Sequence, residues 1–171
     1  EGFEEIEALT VSDIMRRANL TCDLVSIKDK QVKSSHGIIV EADKLFEDNM
    51  EYDLVVIPGG MPGATNLRDD KRVINLIKKQ NKEGKLIGAM CAGPISLGRA
   101  DIIEGRKITS YPGYEDEITN GEYLEEKNIA LFEQIEKAIK QKVEIKFDYE
   151  NFNFHAKPLK LAFFDGFWYL L

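Results

Sequence analysis

Covalent chemistry in this chain rests on two thiols, Cys22 and Cys91. Cys91 stands at the end of Leu86-Ile87-Gly88-Ala89-Met90-Cys91-Ala92-Gly93-Pro94, a short apolar run that passes at once into small residues, a proline and a helical pattern. That order predicts a strand-to-helix turn with the thiol at its apex. The first N–H groups of a helix have no intrahelical partner, and the helix dipole favours an anion there. Thiolate is the reactive form of cysteine, so the position makes Cys91 a candidate nucleophile. Cys22 sits inside the alternating stretch Leu20 to Ile27 and reads as a small buried apolar residue.

Other groups that could serve such a thiol fall at strand ends. Asp53-Leu54-Val55-Val56-Ile57-Pro58 is a continuous apolar run, the pattern of a strand buried on both faces of a parallel sheet. Gly59-Gly60 follows it, and consecutive glycines there either turn N–H groups toward an anion or make a turn at positive φ. Lys107 to Ser110 predicts a further strand, leading into Tyr111. Gly59, Gly60, Cys91 and Tyr111 thus converge on the carboxyl edge of one sheet, where ligands of open α/β folds gather. His36, in the turn Ser34-Ser35-His36-Gly37, has no cysteine or second histidine nearby; it is a candidate site-lining residue, and no metal site is implied.

The elements that must hold these groups alternate. A helix is expected from Glu1 to about Asn19, with acidic residues in its first turn and Arg16-Arg17 in its last. A hairpin is expected over Gln31 to Val40, and an amphipathic helix over Asp70 to Lys82 with Val73, Ile74 and Ile77 on one face. The sum is an α/β fold, a doubly wound, mostly parallel, flavodoxin-like or Rossmann-like sheet with helices on both faces.

Composition sets the outer bounds. With 171 residues, 43% hydrophobic and 31% charged, the chain can bury a core. Its 23 basic and 30 acidic residues give a net charge of −7 and no basic stripe, which disfavours nucleic acid as a partner. Two cysteines make no disulfide framework and suit a reducing cytoplasm; no apolar run reaches membrane-spanning length and no signal peptide is visible. Near Glu126 the character changes. Residues 127–171 hold 10 of the 16 aromatics and one of 13 glycines, and their charge is +1 against −8 before them. Two segments are expected, 1–126 and 127–171. The second reads as a helix from Ile129 to Gln141, a strand from Val143 to Tyr149, and a hairpin in which Ala156 to Phe163 and Phe167 to Leu171 flank Asp165-Gly166.

Three pieces together resemble one family. Glu4-Glu5-Ile6-Glu7 before Met15-Arg16-Arg17-Ala18, Pro58-Gly59-Gly60, and Ala89-Met90-Cys91-Ala92-Gly93-Pro94 are similar to the ThiJ/PfpI family, in the branch of the Parkinsonism-associated deglycase and bacterial YajL-type (thiazole monophosphate biosynthesis) proteins. The resemblance covers residues 1 to about 126. It implies that Cys91 is the reactive cysteine and that Glu7 is the acid whose protonated carboxyl donates to the thiolate. It also implies an oxyanion hole from the backbone N–H groups near Gly60 and Ala92, with Arg17 at the entrance.

Two departures matter. Tyr111 stands where the deglycase branch often has a histidine, and a tyrosine is a poor base near neutral pH. Ala92 replaces the histidine that follows the cysteine in the peptidase branch, so peptidase activity is disfavoured. Relative to the family the chain lacks its first and last strands, which reads as a fragment or a junction of two pieces. Residues 128–171, with Trp168-Tyr169-Leu170, resemble the start of a WYL domain, a small β-module of ligand-sensing regulators.

The resemblance implies a cysteine-dependent glyoxalase or deglycase without a cofactor, acting on a small aldehyde or a glycated group, and a homodimer is an expectation from the family alone. Two other classes stay open, a redox sensor or chaperone using the same low-pKa thiol, and a regulator that senses a ligand through the tail.

Overall fold

A computed structural model describes residues 1–124 and 141, together with the backbone of residues 145–149, 152–156, 161–164 and 167–170. The chain divides into two compact units, Glu1–Glu125 and Glu126–Leu171.

In the first unit the order is α1 (Glu5–Arg17), β1 (Val25–Ser26), β2 (Gln31–Lys33), β3 (Ile39–Glu41), β4 (Lys44–Leu45), β5 (Leu54–Ile57), α2 (Gly63–Asp69), α3 (Lys71–Lys82), β6 (Leu86–Ala89), α4 (Ile95–Arg99), β7 (Lys107–Ile108) and β8 (Glu122–Tyr123). The pairs β1–β4, β5–β6 and β7–β8 are parallel, and β2–β3 is an antiparallel hairpin. Parallel strands alternating with helices make this a flavodoxin-like α/β fold.

α1 begins at Glu5 rather than Glu1, because the preceding backbone is engaged elsewhere. Gly2 N–H donates to the Lys33 carbonyl (2.8 Å), Ser35 N–H to that of Phe3 (2.9 Å), and Glu4 N–H to that of Gly59 (3.0 Å). Residues 2–4 are therefore stitched between the β2–β3 hairpin and the end of β5, and they deliver the first turn of α1 to that point. The strand expected over Leu20 to Ile27 shrinks to Val25–Ser26 for a similar reason. The Arg16 guanidinium takes the Cys22 carbonyl (2.8 and 3.0 Å), and the Asp43 carboxylate takes the Leu24 N–H (2.7 Å).

α3 follows its sequence closely. The Asp70 carboxylate caps it by accepting the Arg72 N–H at 2.9 Å, and Val73, Ile77 and Gln80 are its buried face. Val73 and Ile77 form the main core with Ile57 and Ala100. A second cluster, Ala64, Ala92 and Ile95, packs against Cys91 and Tyr114. α2 was not foreseen, because Gly63-Ala64-Thr65-Asn66 carries no apolar stripe. Smallness is what places it: Gly63 N–H donates to the Gly2 carbonyl (3.0 Å) and Ala64 is fully buried.

β5 is less enclosed than its apolar run predicts. Leu86 N–H bonds the Asp53 carbonyl (3.1 Å) and Met90 N–H that of Ile57 (3.3 Å), so the odd-numbered residues face β6. On its other edge β5 has no strand partner among the described residues, and Leu54, Val55 and Val56 are only partly buried.

In the second unit β9 (Ile145–Tyr149) pairs antiparallel with β10 (Phe152–Ala156), and β11 (Leu161–Phe164) with β12 (Phe167–Leu170). The strand before Tyr149 and the hairpin about Asp165-Gly166 are present. The expected arm Ala156 to Phe163 instead contributes its first residue to β10 and its last three to β11. The helix expected over Ile129 to Gln141 lies outside the described residues, save Gln141.

The core assignment gives a direct test. Ile77→Ala removes a fully buried side chain from α3 and should cost about 2–5 kcal/mol in urea unfolding, whereas Lys78→Ala, on the exposed face of the same helix, should change stability by less than about 0.5 kcal/mol.

Candidate active site

Cys91 follows β6 with φ +53°, in the left-handed region that a non-glycine residue occupies only under constraint, at a cost of about 1–3 kcal/mol. The constraint is visible on both sides of it. Gly93 N–H closes onto the Met90 carbonyl (2.8 Å), and Tyr111 N–H holds the carbonyl of Cys91 itself (2.8 Å). The backbone thus turns sharply and aims the thiol at the end of β5.

The expected helix terminus is not what meets the sulfur. α4 starts four residues after Cys91 and is only five residues long, so little dipole is available. The donors to Sγ are two single amides, Gly60 N–H and Ala92 N–H. Gly60 reaches this position at φ +83°, and a Cβ there would run into the backbone of Phe3 and Glu4. Gly59 is required by proximity: a Cβ on it would stand 2.7 Å from the Cys91 Cβ and 2.9 Å from Sγ.

Glu7 completes the group. It is in the first two turns of α1, and its carboxylate accepts the Gly59 N–H at 2.6 Å and interacts with the Cys91 thiol. Burial pushes the Glu7 carboxyl above its ordinary range, opposed by the Gly59 and Cys91 hydrogen bonds, and the nearby Glu4 charge adds to the rise. Cys91 is pushed up to about 11, first by burial and then by the charge of Glu7, with the Ala92 and Gly60 amides pulling the other way. With Glu7 charged the thiol is thus held protonated, against the low pKa expected, and a thiolate requires the proton to sit on Glu7. The two groups interact directly, so they titrate as a pair in which one proton has two possible seats.

The structure brings Cys91, Glu7, Gly59, Gly60 and Ala92 together, with Tyr111 joined through its backbone. Arg17 is not among them. It lies about 15 Å further along the axis of α1 than Glu7, is 79% exposed, and pairs with Asp13 at 2.8 Å. His36 sits in the β2–β3 turn, where its Nδ1 is 3.1 Å from the Glu5 carboxylate and 3.7 Å from that of Glu4. The Ser35 hydroxyl reaches the same two carboxylates at 3.1 and 3.4 Å. The donor atoms of Glu4, Glu5 and His36 lie within 4.8 Å of one another, a spacing that could also hold a cation. Sequence reasoning missed Glu4, Glu5 and Ser35 as neighbours of the site. The only hint was the run of acids before Glu7, which reads equally well as dipole-matching.

Comparison with known proteins decides the family. The DJ-1/PfpI family profile matches residues 1–142. The chain belongs to the DJ-1/PfpI family. A relative in Caenorhabditis elegans named glutathione-independent glyoxalase DJR-1.2 is 34% identical over 125 residues, covering 72% of this chain and 66% of that protein. A Pyrococcus abyssi protein named as a deglycase is 31% identical over 122 residues, covering 70% and 73%. Drosophila melanogaster DJ-1beta superposes with a TM-score of 0.69 at 29% identity, covering 74% of this chain and 70% of its own. The chain spans 31% of the length of one matching Arabidopsis thaliana protein and 28% of another.

Two outcomes are expected from this geometry. Gly59→Ala should displace Cys91 and lower the rate of alkylation by iodoacetamide at least tenfold, measured by intact mass. The raised Glu7 pKa means the folded state binds more protons than the unfolded one between the ordinary glutamate range and the raised value, so this group's contribution to stability falls as pH rises through that window. In Glu7→Gln that part of the pH dependence should vanish, seen as a flatter plot of urea midpoint against pH.

Proposed function

We propose that the chain carries a cofactor-independent glyoxalase or deglycase site in which Cys91 is the nucleophile and Glu7 its acid–base partner. The observation that carries this reading is the interaction of the Glu7 carboxyl with the Cys91 thiol, beside two amides that act on the sulfur. Where the shared proton resides decides reactivity. On Cys91, it leaves the Gly60 and Ala92 amides facing a neutral sulfur, a weak acceptor. On Glu7, it gives the thiolate three donors, those two amides and the carboxyl O–H, while the other carboxyl oxygen still accepts from Gly59. The reacting form is the second.

The thiolate then adds to the aldehyde carbon of a small 2-oxoaldehyde such as methylglyoxal. A carbon–sulfur bond forms, and the carbonyl π pair becomes an alkoxide that takes the Glu7 proton, giving a hemithioacetal. Glu7, now a carboxylate, removes the hydrogen on that carbon and an enediol forms. Return of that proton to the neighbouring carbon makes it the alcohol carbon, and loss of the enol proton leaves the thioester on the carbon bonded to sulfur. The aldehyde carbon is oxidised and the ketone carbon reduced within one molecule, so no external oxidant is used. Water cleaves the thioester to the hydroxy acid and restores the thiol. Tyr111 contributes through its backbone hold on Cys91, and proton transfer falls to Glu7. A glycated amine enters at the same hemithioacetal level, with the amine as leaving group. The names of the nematode and archaeal relatives support this class of substrate.

The same half-exposed sulfur between two amides also supports a redox-sensing reading, because those donors would bind the oxygens of a sulfinate. Incubation of the full chain with methylglyoxal separates the two. Lactate should form in the parent, be absent in Cys91→Ala, and fall about 10²–10⁴-fold in Glu7→Gln. Equal lactate from parent and Cys91→Ala would remove the enzymatic reading. Addition of two oxygens at Cys91 under mild peroxide, without turnover, would favour the sensor.

A further inference from the structure

The β2–β3 turn does more than connect two strands. Its backbone and side chains account for most of the contacts that fix the approach to α1: Ser35 N–H to Phe3, Ser35 Oγ to Glu4 and Glu5, and His36 Nδ1 to both carboxylates. Glu4 in turn bonds Gly59 through its N–H, and its charge acts on Glu7. Glu5, on the first helical turn, is nine-tenths buried at its side chain, and the imidazole of His36 pairs with it, as a cation when protonated.

We propose that the Ser35–His36 turn is a positioning and charge-balancing element for the Cys91–Glu7 pair, in which a cationic imidazole offsets the Glu4 and Glu5 carboxylates that would otherwise hold the shared proton in place. His36 is a positioning residue that acts through Glu4 and Glu5. The chain of effects is short. Three carboxylates, Glu4, Glu5 and Glu7, enter one corner of the fold within four residues, and the thiolate adds a fourth negative group. Each negative neighbour makes loss of a further proton harder. A positive ring at 3.1 and 3.7 Å from two of the carboxylates reduces that field, and at 67% exposure the ring exchanges protons freely with solvent.

The charged groups facing His36 are Glu4 and Glu5 from the start of α1. Lys33 of β2 also runs along the turn, its Cε 3.7 Å from where a Cβ on Gly37 would stand. His36 is the member of this group whose ordinary titration falls near the neutral range. Its pairing with Glu5 raises the pH at which that happens. The corner therefore carries one more positive charge on the acid side of the imidazole titration than on the alkaline side.

This inference rests on Cys91 and Glu7 being the reacting pair, but its test needs no turnover. The ultraviolet absorbance of the Cys91 thiolate is titrated in the full chain for the parent, His36→Arg and His36→Gln, each corrected with a Cys91→Ala background that removes the Cys22 signal. His36→Arg keeps a fixed cation and His36→Gln keeps a neutral side chain. The proton affinity of the pair should be about three- to tenfold lower in His36→Arg than in His36→Gln, with the parent between them or coincident with one. Coincident curves for the two variants, or a parent lying outside both, would overturn the proposal. Where one variant fails to fold, as judged by thermal melting, His36→Lys or His36→Asn replaces it in the same comparison. A purely structural role for the turn would move both variants in one direction.

Discussion

The contact on which everything else depends is the pairing of the Glu7 carboxyl with the Cys91 thiol. It joins residues 84 positions apart, one on a helix and one at the apex of a strand-to-helix turn. Neither group is favourably charged where it sits, since burial opposes both. What makes the arrangement usable is that the proton one group must lose is a proton the other can keep. The thiol then needs no histidine and very little helix dipole, and this chain offers little of either beside the sulfur.

Glycine at position 59 is the geometric condition for that contact. Its amide holds one Glu7 oxygen at 2.6 Å, and its lack of a side chain leaves room for the cysteine. Gly60 supplies an amide to the sulfur at a positive φ and passes against the backbone of Phe3 and Glu4. The two glycines are therefore not interchangeable parts of a flexible loop. One sets the distance between acid and nucleophile, and the other turns a donor inward while the incoming segment of residues 2–4 packs against it. The same short segment is clamped from its other side by the β2–β3 turn, which is how a surface histidine comes to be coupled to a half-buried thiol.

Much of this was legible in the residues. The apolar run ending at Cys91, the paired glycines after Ile57 and the amphipathic face of α3 each follow from local patterns, and the structure has them within a residue or two. The open alternative for Gly59-Gly60, donor or turn, resolves into both functions at once. What could not be read is what depends on distant partners. The start of α1 moves to Glu5 because Lys33, Ser35 and Gly59 compete for the preceding backbone. α2 forms because small residues fit against Gly2, not because of any periodicity. The helix dipole expected at Cys91 fails because α4 starts too late. His36 gave no sign of its neighbours, since the carboxylates that surround it lie about thirty positions earlier. Among the described residues the far edge of β5 has no strand partner, which its own apolar run does not reveal.

The central claim is that Glu7, and not Cys91, carries the shared proton in the reactive state. Infrared spectroscopy reads this directly, because a carboxylic C=O stretch and a thiol S–H stretch are separate bands. At neutral pH the parent should show a carboxylic acid band that disappears in Glu7→Gln, and no S–H band that disappears in Cys91→Ala. An S–H band assigned to Cys91, with Glu7 present only as carboxylate, would contradict the account.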